Sequence, residues 1–315
     1  MFDSKKFIEE QIEAIKKVID GNAIIAASGG VDSTVAAVLV SRAIGKKLIA
    51  VFVDTGYMRK SEPEETKKML ESLGLNLHFI DAKDEYYAAL AGVIDPEEKR
   101  KIIGNKFIEI FERVAKKVSA NYLVQGTIAP DWIESGGALR DTIKSHHNVG
   151  GLPAHMKLKL AEPLRDLYKD EVRKVAEYLA VPVAKKQPFP GPGLAIRVMG
   201  EATPELTEIA REANAIAEEE IEKAVNTGKM EKPWQYFAVL LPTKTVGVHG
   251  DVRAYGYTIA IRAVHSIDGM SAGYAKIPHD VLERISARIT NVLGKTINRV
   301  VYDITNKPPA TIEWE

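Results

Sequence analysis

The chain is 315 residues long, contains no cysteine, and balances 43 Lys and Arg against 43 Asp and Glu. That length suggests two domains, each able to bury its own core. The absent thiols exclude a disulfide scaffold, a Cys-ligated zinc or iron–sulfur site and a thiolate nucleophile, and zero net charge argues against binding driven mainly by nucleic-acid phosphates.

The first six residues lack the apolar stretch of a signal peptide. The segment Gly21 to Ser41 is weakly charged but carries Gly29, Gly30 and Asp32 in its middle, which speaks against a membrane span. A cytoplasmic protein with no membrane or nucleic-acid partner is expected.

Apolar residues at helical spacing predict a helix over Phe7–Ile19, stopped by Gly21. Ala23–Ala27 reads as a buried strand, Ser28–Ser33 as a glycine turn and Thr34–Ile44 as a helix. Leu48–Val53 is a second strand, ending at Asp54. Ser61 and Glu64 have the spacing of a capping box and open a helix to Leu73. Leu75–Ile80 is a third strand. Asp95-Pro96 starts a long helix reaching about Val118, and Tyr122–Gln125 is a fourth strand. Strands alternating with helices predict an α/β domain with a mainly parallel, doubly wound sheet, which binds ligands at the carboxyl ends of its strands.

Residues 136–153 have no clear period and read as a mobile loop over a site. A helix resumes at Lys169–Leu179. The Pro- and Gly-rich stretch 186–200 then breaks any regular element and marks the domain boundary. Residues 1–185 thus form the first domain and 201–315 a small α+β domain. In the latter, helices are expected from Thr203-Pro204 to about Val225 and over His279–Val292. Strands are expected at Gln235–Leu241, Tyr255–Val264 and Arg299–Ile304.

Ser28-Gly29-Gly30-Val31-Asp32-Ser33-Thr34 lies between a buried strand and a helix. Glycines there let the backbone approach an anion, and helix N-terminal amides point at it. Ser28, Ser33 and Thr34 add hydroxyls. Asp32 would repel a phosphate unless a cation bridged the two, so it is a Mg²⁺ ligand candidate. The loop lacks the ending of a Walker A motif, and a tight turn capped by Ser and Asp is the plain alternative.

Ser28 to Ser33 resembles the PP-loop of the N-type ATP pyrophosphatases. That resemblance implies ATP as substrate, with the loop on its β,γ-pyrophosphate and AMP transferred to an oxygen. Five further runs resemble the GMP synthetase family: 126–135, 143–153, 162–173, 188–197 and 307–315. They imply amination of xanthosine 5′-monophosphate (XMP) to GMP. The resemblance makes catalytic candidates of Asp32, Asp131, Glu134, Lys144, His146 and His147. Asp131 and Glu134 could hold Mg²⁺ or orient a lysine, Lys144 is a cation for the α-phosphate, and the two histidines can carry protons near neutral pH. Without it, the His146-His147 pair reads as part of a solvated loop, and Lys169, Asp170 and Arg173 as an ordinary helix start. The resemblance aims these last three at the lid.

It also assigns Lys307 to the XMP phosphate, Ile312 and Glu313 to the nucleoside, and a homodimer to the C-terminal domain. Arg197 is a second phosphate candidate. The plain alternative for 307–315 is a docked tail kept extended by Pro308-Pro309. One departure stands out: Gln187 occupies the position where the family usually has His. Two-part members place a glutaminase with a Cys nucleophile ahead of the PP-loop. Only 27 residues precede Ser28 here, and no Cys is present. A separate glutamine amidotransferase subunit is therefore expected to supply ammonia.

Overall fold

The computed structural model of the protein describes residues 2–131, 158–182 and 187–315. The expected lid at 136–153, with Lys144, His146 and His147, lies outside them, as does Glu134. In chain order the elements are α1 (Ser4–Val18), β1 (Ala23–Ala26), α2 (Val31–Ile44), β2 (Leu48–Asp54), α3 (Glu62–Ser72), β3 (Leu77–Asp81), α4 (Lys83–Ala89), α5 (Pro96–Lys117), β4 (Tyr122–Val124), β5 (Lys159–Ala161), α6 (Lys169–Tyr178), α7 (Pro204–Asn226), β6 (Gln235–His249), β7 (Val252–His265), β8 (Gly273–Tyr274), α8 (His279–Leu293) and β9 (Ile297–Asp303).

They form two compact units. The first comprises Met1–Asp54, Ser61–Ala82 and Gly104–Lys185; the second comprises Thr55–Lys60, Lys83–Ile103 and Lys186–Glu315. The division is therefore not a single cut along the chain.

In the first unit, five parallel strands run in the order β3-β2-β1-β4-β5. All seven residues of β2 are buried, as an apolar strand in the middle of a parallel sheet must be. Each such Val, Ile or Phe contributes roughly 1.5–3 kcal/mol by leaving water. The α2 residues Val35 to Val40 are equally buried. From β1 the chain winds outward one way through β2 and β3, and the other way through β4 and β5. The carboxyl ends of β1 and β4 thus flank the point where strand order reverses, the crevice such sheets use for ligands.

In the second unit, β6 and β7 form a long antiparallel hairpin. On the far edge of β7 lie β8, antiparallel, and β9, parallel. Helix α7 begins at Pro204 after the Thr203 side chain accepts a hydrogen bond from the Leu206 amide. Ion pairs of Glu220 with Arg284 and Arg288 tie α7 to α8.

Several local expectations change. Ser61 has a left-handed backbone, φ +59°, and makes no side-chain cap bond, so the capping box does not form. The two strands expected at 235–241 and 255–264 extend to His249 and Val252. A β-bulge between Leu241 and Lys244 interrupts the alternation that would have shown it. Pro308-Pro309 lies in a turn closed by Ala310 N donating to Asn306 O at 3.0 Å, rather than in an extended segment. Strands β5 and β8, three and two residues long, are too short for a periodic signal.

Candidate functional site

The end of β1 turns through Ser28–Gly30 directly into α2. Gly29 has φ +78°, and a Cβ there would sit 2.7 Å from Thr66 Cγ2, so glycine is required twice over. Gly30 is the N-cap and has no side chain to satisfy the first-turn amides of α2. Among the described residues no side chain caps those amides, and the positive helix end suits an anion. The hydroxyls gather beside them: Ser28 Oγ lies 3.1 Å from Ser33 Oγ. Ser33 Oγ and Thr34 Oγ1 donate to Gly30 O at 3.1 and 2.8 Å.

Asp32 stands in the first turn of α2. Its Oδ2 accepts a 2.5 Å bond from Lys169 Nζ at the start of α6. Its Oδ1 is buried and has no hydrogen-bond partner among the described residues. A buried carboxylate oxygen without a donor is costly, and a divalent cation is the natural partner for such an atom. The loop therefore fits the Mg²⁺ expected of it. Gly126, just beyond β4, completes the crevice. A Cβ there would lie 2.9 Å from both Asp32 C and Ser33 N, so only glycine lets the β4 loop approach α2 this closely.

Of the other expected residues in this unit, Asp131 Oδ2 accepts from Ile128 N at 3.1 Å. Asp170 pairs with Lys174 at 3.5 Å, and Arg173 is exposed. From the α6 trio it is Lys169 that reaches the loop. Asp54 is buried at the end of β2.

In the second unit, Arg197 is fully buried, between β6 Phe237 (4.0 Å from the ring centroid) and Phe189 (4.9 Å). Its Nε and Nη2 donate to Glu313 Oε2 and Oε1 at 3.1 and 2.9 Å. Arg197, the second phosphate candidate, is thus paired with Glu313. Ile312 belongs to the apolar cluster with Phe237, Val239, Ala260, Val264 and Ala272. Lys307 Nζ donates to Gly269 O at 2.8 Å. Gln187 is nearly buried: its Nε2 donates to Glu218 Oε1 at 2.6 Å and its Oε1 accepts from Tyr236 N at 2.7 Å. The amide uses donor and acceptor at once. Burial pushes the Glu218 carboxyl up from its ordinary value, against the opposing charge of Arg59.

Three residues here had no sequence signal. Gln235 Nε2 donates to Glu313 Oε1 at 2.9 Å and to Pro188 O at 3.2 Å. Lys99 is fully buried although it sits in the charged run Glu97-Glu98-Lys99-Arg100-Lys101. Arg262, also fully buried, donates to the carbonyls of Thr305 (2.5 Å) and Thr311 (3.1 Å) and so braces both legs of the turn that carries Lys307.

Comparison with known proteins bears on both units. The model of the GMP synthase C terminal domain matches residues 219–314, and that of NAD synthase matches residues 2–127. Relatives that span the whole chain each carry the name of one subunit of a glutamine-hydrolyzing GMP synthase. The one from Methanopyrus kandleri is 61% identical over 319 residues, covering 100% of each chain. That of Pyrococcus horikoshii is 60% identical, covering 99% of this chain and 100% of its own. That of Thermoplasma acidophilum is 54% identical, covering 99% of both. With identity of this order over both units, the chain belongs to the family of these GMP synthase subunits.

Proposed function

We propose that this protein aminates XMP to GMP, driven by ATP, with AMP and pyrophosphate as products. The observation that carries the reading is the full-length likeness to the GMP synthase subunits, and the loop around Asp32 supplies a site of matching chemistry. The C2 oxygen of XMP attacks the α-phosphorus of ATP as the bond to pyrophosphate breaks. Ammonia then adds at C2, and AMP leaves with that oxygen. Hydroxide is too poor a leaving group for the direct reaction, so adenylation must come first. It requires relief of charge on the phosphates rather than a protein nucleophile.

In this reading Ser28 to Thr34 cradle the β,γ-pyrophosphate with first-turn amides and hydroxyls. Mg²⁺ supplies charge neutralisation on the phosphate oxygens, and Asp32 would hold it, with Asp131 and Glu134 as further carboxylates. Lys169 neutralises Asp32 from the other side and holds its rotamer. Lys144 takes the α-phosphate, and His146 and His147 handle the proton that ammonia loses, on a lid at 136–153. Lys307 meets the XMP phosphate, and Ile312 and Glu313 meet its nucleoside. Arg197, the second phosphate candidate, orients the Glu313 carboxylate through its two-bond fork. The C-terminal domain forms a homodimer, and ammonia comes from a separate glutaminase subunit. A cytoplasmic location suits these substrates; among the described residues no helix is long and apolar enough to cross a membrane.

The test is an assay of the purified chain with ATP, Mg²⁺, XMP and ammonium, following AMP, pyrophosphate and GMP. Equal yields of all three, dependent on XMP and ammonium, are expected. Glutamine in place of ammonium should give no GMP. Production of ADP and phosphate would refute the mechanism. Turnover of a nicotinate nucleotide instead of XMP would favour the other amidation reaction that the NAD synthase match to residues 2–127 admits.

A further inference from the structure

We propose that Lys99 is a positioning residue of the XMP pocket, acting by locking Glu315 and the segment around Arg197 into one unit. The inference rests on the assignment of Lys307 and Glu313 to XMP above.

Lys99 lies in the first turn of α5 and is fully buried. Its ammonium has three protons and three acceptors. They are Ala195 O at 3.0 Å, Val198 O at 2.9 Å and Glu315 Oε2 at 2.5 Å. Two of these are carbonyls that flank Arg197 in sequence. The other oxygen of Glu315 returns to the same segment, accepting from Gly200 N at 3.2 Å. Segment 195–200 and the tail are therefore joined twice. Arg197 grips Glu313 in a fork, and Lys99 clamps Glu315 against the carbonyls on either side of Arg197.

The tail alternates accordingly. Ile312 is in the apolar cluster and Trp314 packs against it, while Glu313 and Glu315 enter cation pockets. Every residue from 312 to 315 thus has its own anchor. The carboxylate read as meeting the nucleoside, Glu313, is framed by two apolar anchors and the Lys99 clamp. Without Lys99, Glu315 would be a buried anion stripped of its ammonium partner. The carbonyls of Ala195 and Val198 would lose their common donor, and the Arg197 fork would lose its support. All three Lys99 partners belong to the second unit, and none is in the loop around Asp32.

Positioning can be separated from stability. Replacing both members of a buried ion pair with apolar residues is often neutral or stabilising, whereas removing one member is strongly destabilising. The experiment compares wild type, Lys99→Met, Glu315→Gln and the double variant Lys99→Met/Glu315→Met. It measures thermal unfolding, and KM for XMP and for ATP, with Mg²⁺ and ammonium present. The double variant is expected to melt near wild type, yet to show KM for XMP raised about tenfold or more, because a small misplacement of a positioning group is costly. KM for ATP should stay within about twofold. A double variant with wild-type KM for XMP would overturn the proposal and leave Lys99 as a fold-stabilising lysine. Should the double variant not fold, Glu315→Gln decides. It keeps the size of the side chain but leaves the buried Lys99 ammonium without its counter-charge, so the melting temperature should fall, while in the folded variant KM for XMP should rise several-fold and KM for ATP stay within about twofold. An unchanged KM there is equally decisive against the proposal. If the wild-type protein itself yields no AMP from XMP, the reading of function has failed, independently of any effect of Lys99.

Discussion

The guanidinium of Arg197 and the carboxylate of Glu313 form a two-bond fork, with N–O separations of 2.9 and 3.1 Å across 116 residues of sequence. Arg197 is wholly buried and Glu313 mostly so. Removing one partner of such a pair strands a buried charge. We expect Arg197→Met to lower unfolding free energy by about 3–5 kcal/mol, read from urea denaturation. A double-mutant cycle with Glu313→Met should give a coupling of roughly 1 kcal/mol or more. Additive losses would show that the two act separately.

Asp32 makes a different prediction. Its pair with Lys169 is half-exposed on the lysine side, and exposed pairs are worth about 0–1 kcal/mol. Asp32→Asn should thus unfold like wild type within about 1 kcal/mol. Its rate of XMP-dependent pyrophosphate release should fall by about 100-fold or more, the scale of losing a preorganised charge contact. Normal turnover by a folded Asp32→Asn protein would remove the carboxylate from the reaction.

Gly126 tests the crevice between the ends of β1 and β4. A methyl group would meet backbone atoms of Asp32 and Ser33, which cannot swing aside like a flexible side chain. Gly126→Ala should cost about 1–3 kcal/mol by overpacking. It should also raise KM for ATP more than KM for XMP, because the displaced atoms belong to the loop read as the pyrophosphate cradle. An alanine variant with wild-type melting and ATP kinetics would mean that the approach is looser than described.

Glu218 gives a pH dependence. Burial raises its carboxyl above the ordinary 4.5. Between that value and the folded-state pKa, the native protein holds more protons than the unfolded chain. Unfolding free energy therefore falls as pH rises through this window. Gln187 and Arg59 supply partners but do not reverse the direction. Glu218→Gln has no proton to lose, so its stability relative to wild type should improve as pH rises from about 4.5 toward neutrality. Denaturant melts across that range check the slope. A constant difference would indicate that Glu218 titrates normally.

Much of the first unit was legible in sequence because its signals are local. β1 and β2 are continuous apolar runs, α2 is apolar along its core-facing length, and the glycines of the turn sit where strand meets helix. The expected Asp32 stands at the start of α2, but its link to Lys169 spans 137 residues and has no local pattern. The Ser61 capping box failed for the opposite reason. The spacing was right, but the backbone turned left-handed. The α4 helix and the short strands β5 and β8 carried too few residues for a period to emerge.

In the second unit the balance shifts. Lys99 stands in a run of five charged residues, and Arg197 is read from the sequence as a second phosphate candidate. Each is buried, and each meets a carboxylate of the tail. A charged side chain has no periodicity that announces burial; only the position of its counter-charge in space does.

The amino-acid sequence by itself determined the alternation of strands and helices, the glycine turn before α2, and the absence of any thiol chemistry, because these depend on residue type and near-neighbour spacing. Only the tertiary structure decided that Gly126 closes on Asp32 and that Arg197 and Lys99 serve Glu313 and Glu315. It did so because each contact joins segments roughly a hundred residues or more apart, brought together by strand order and the packing of the tail rather than by any local preference.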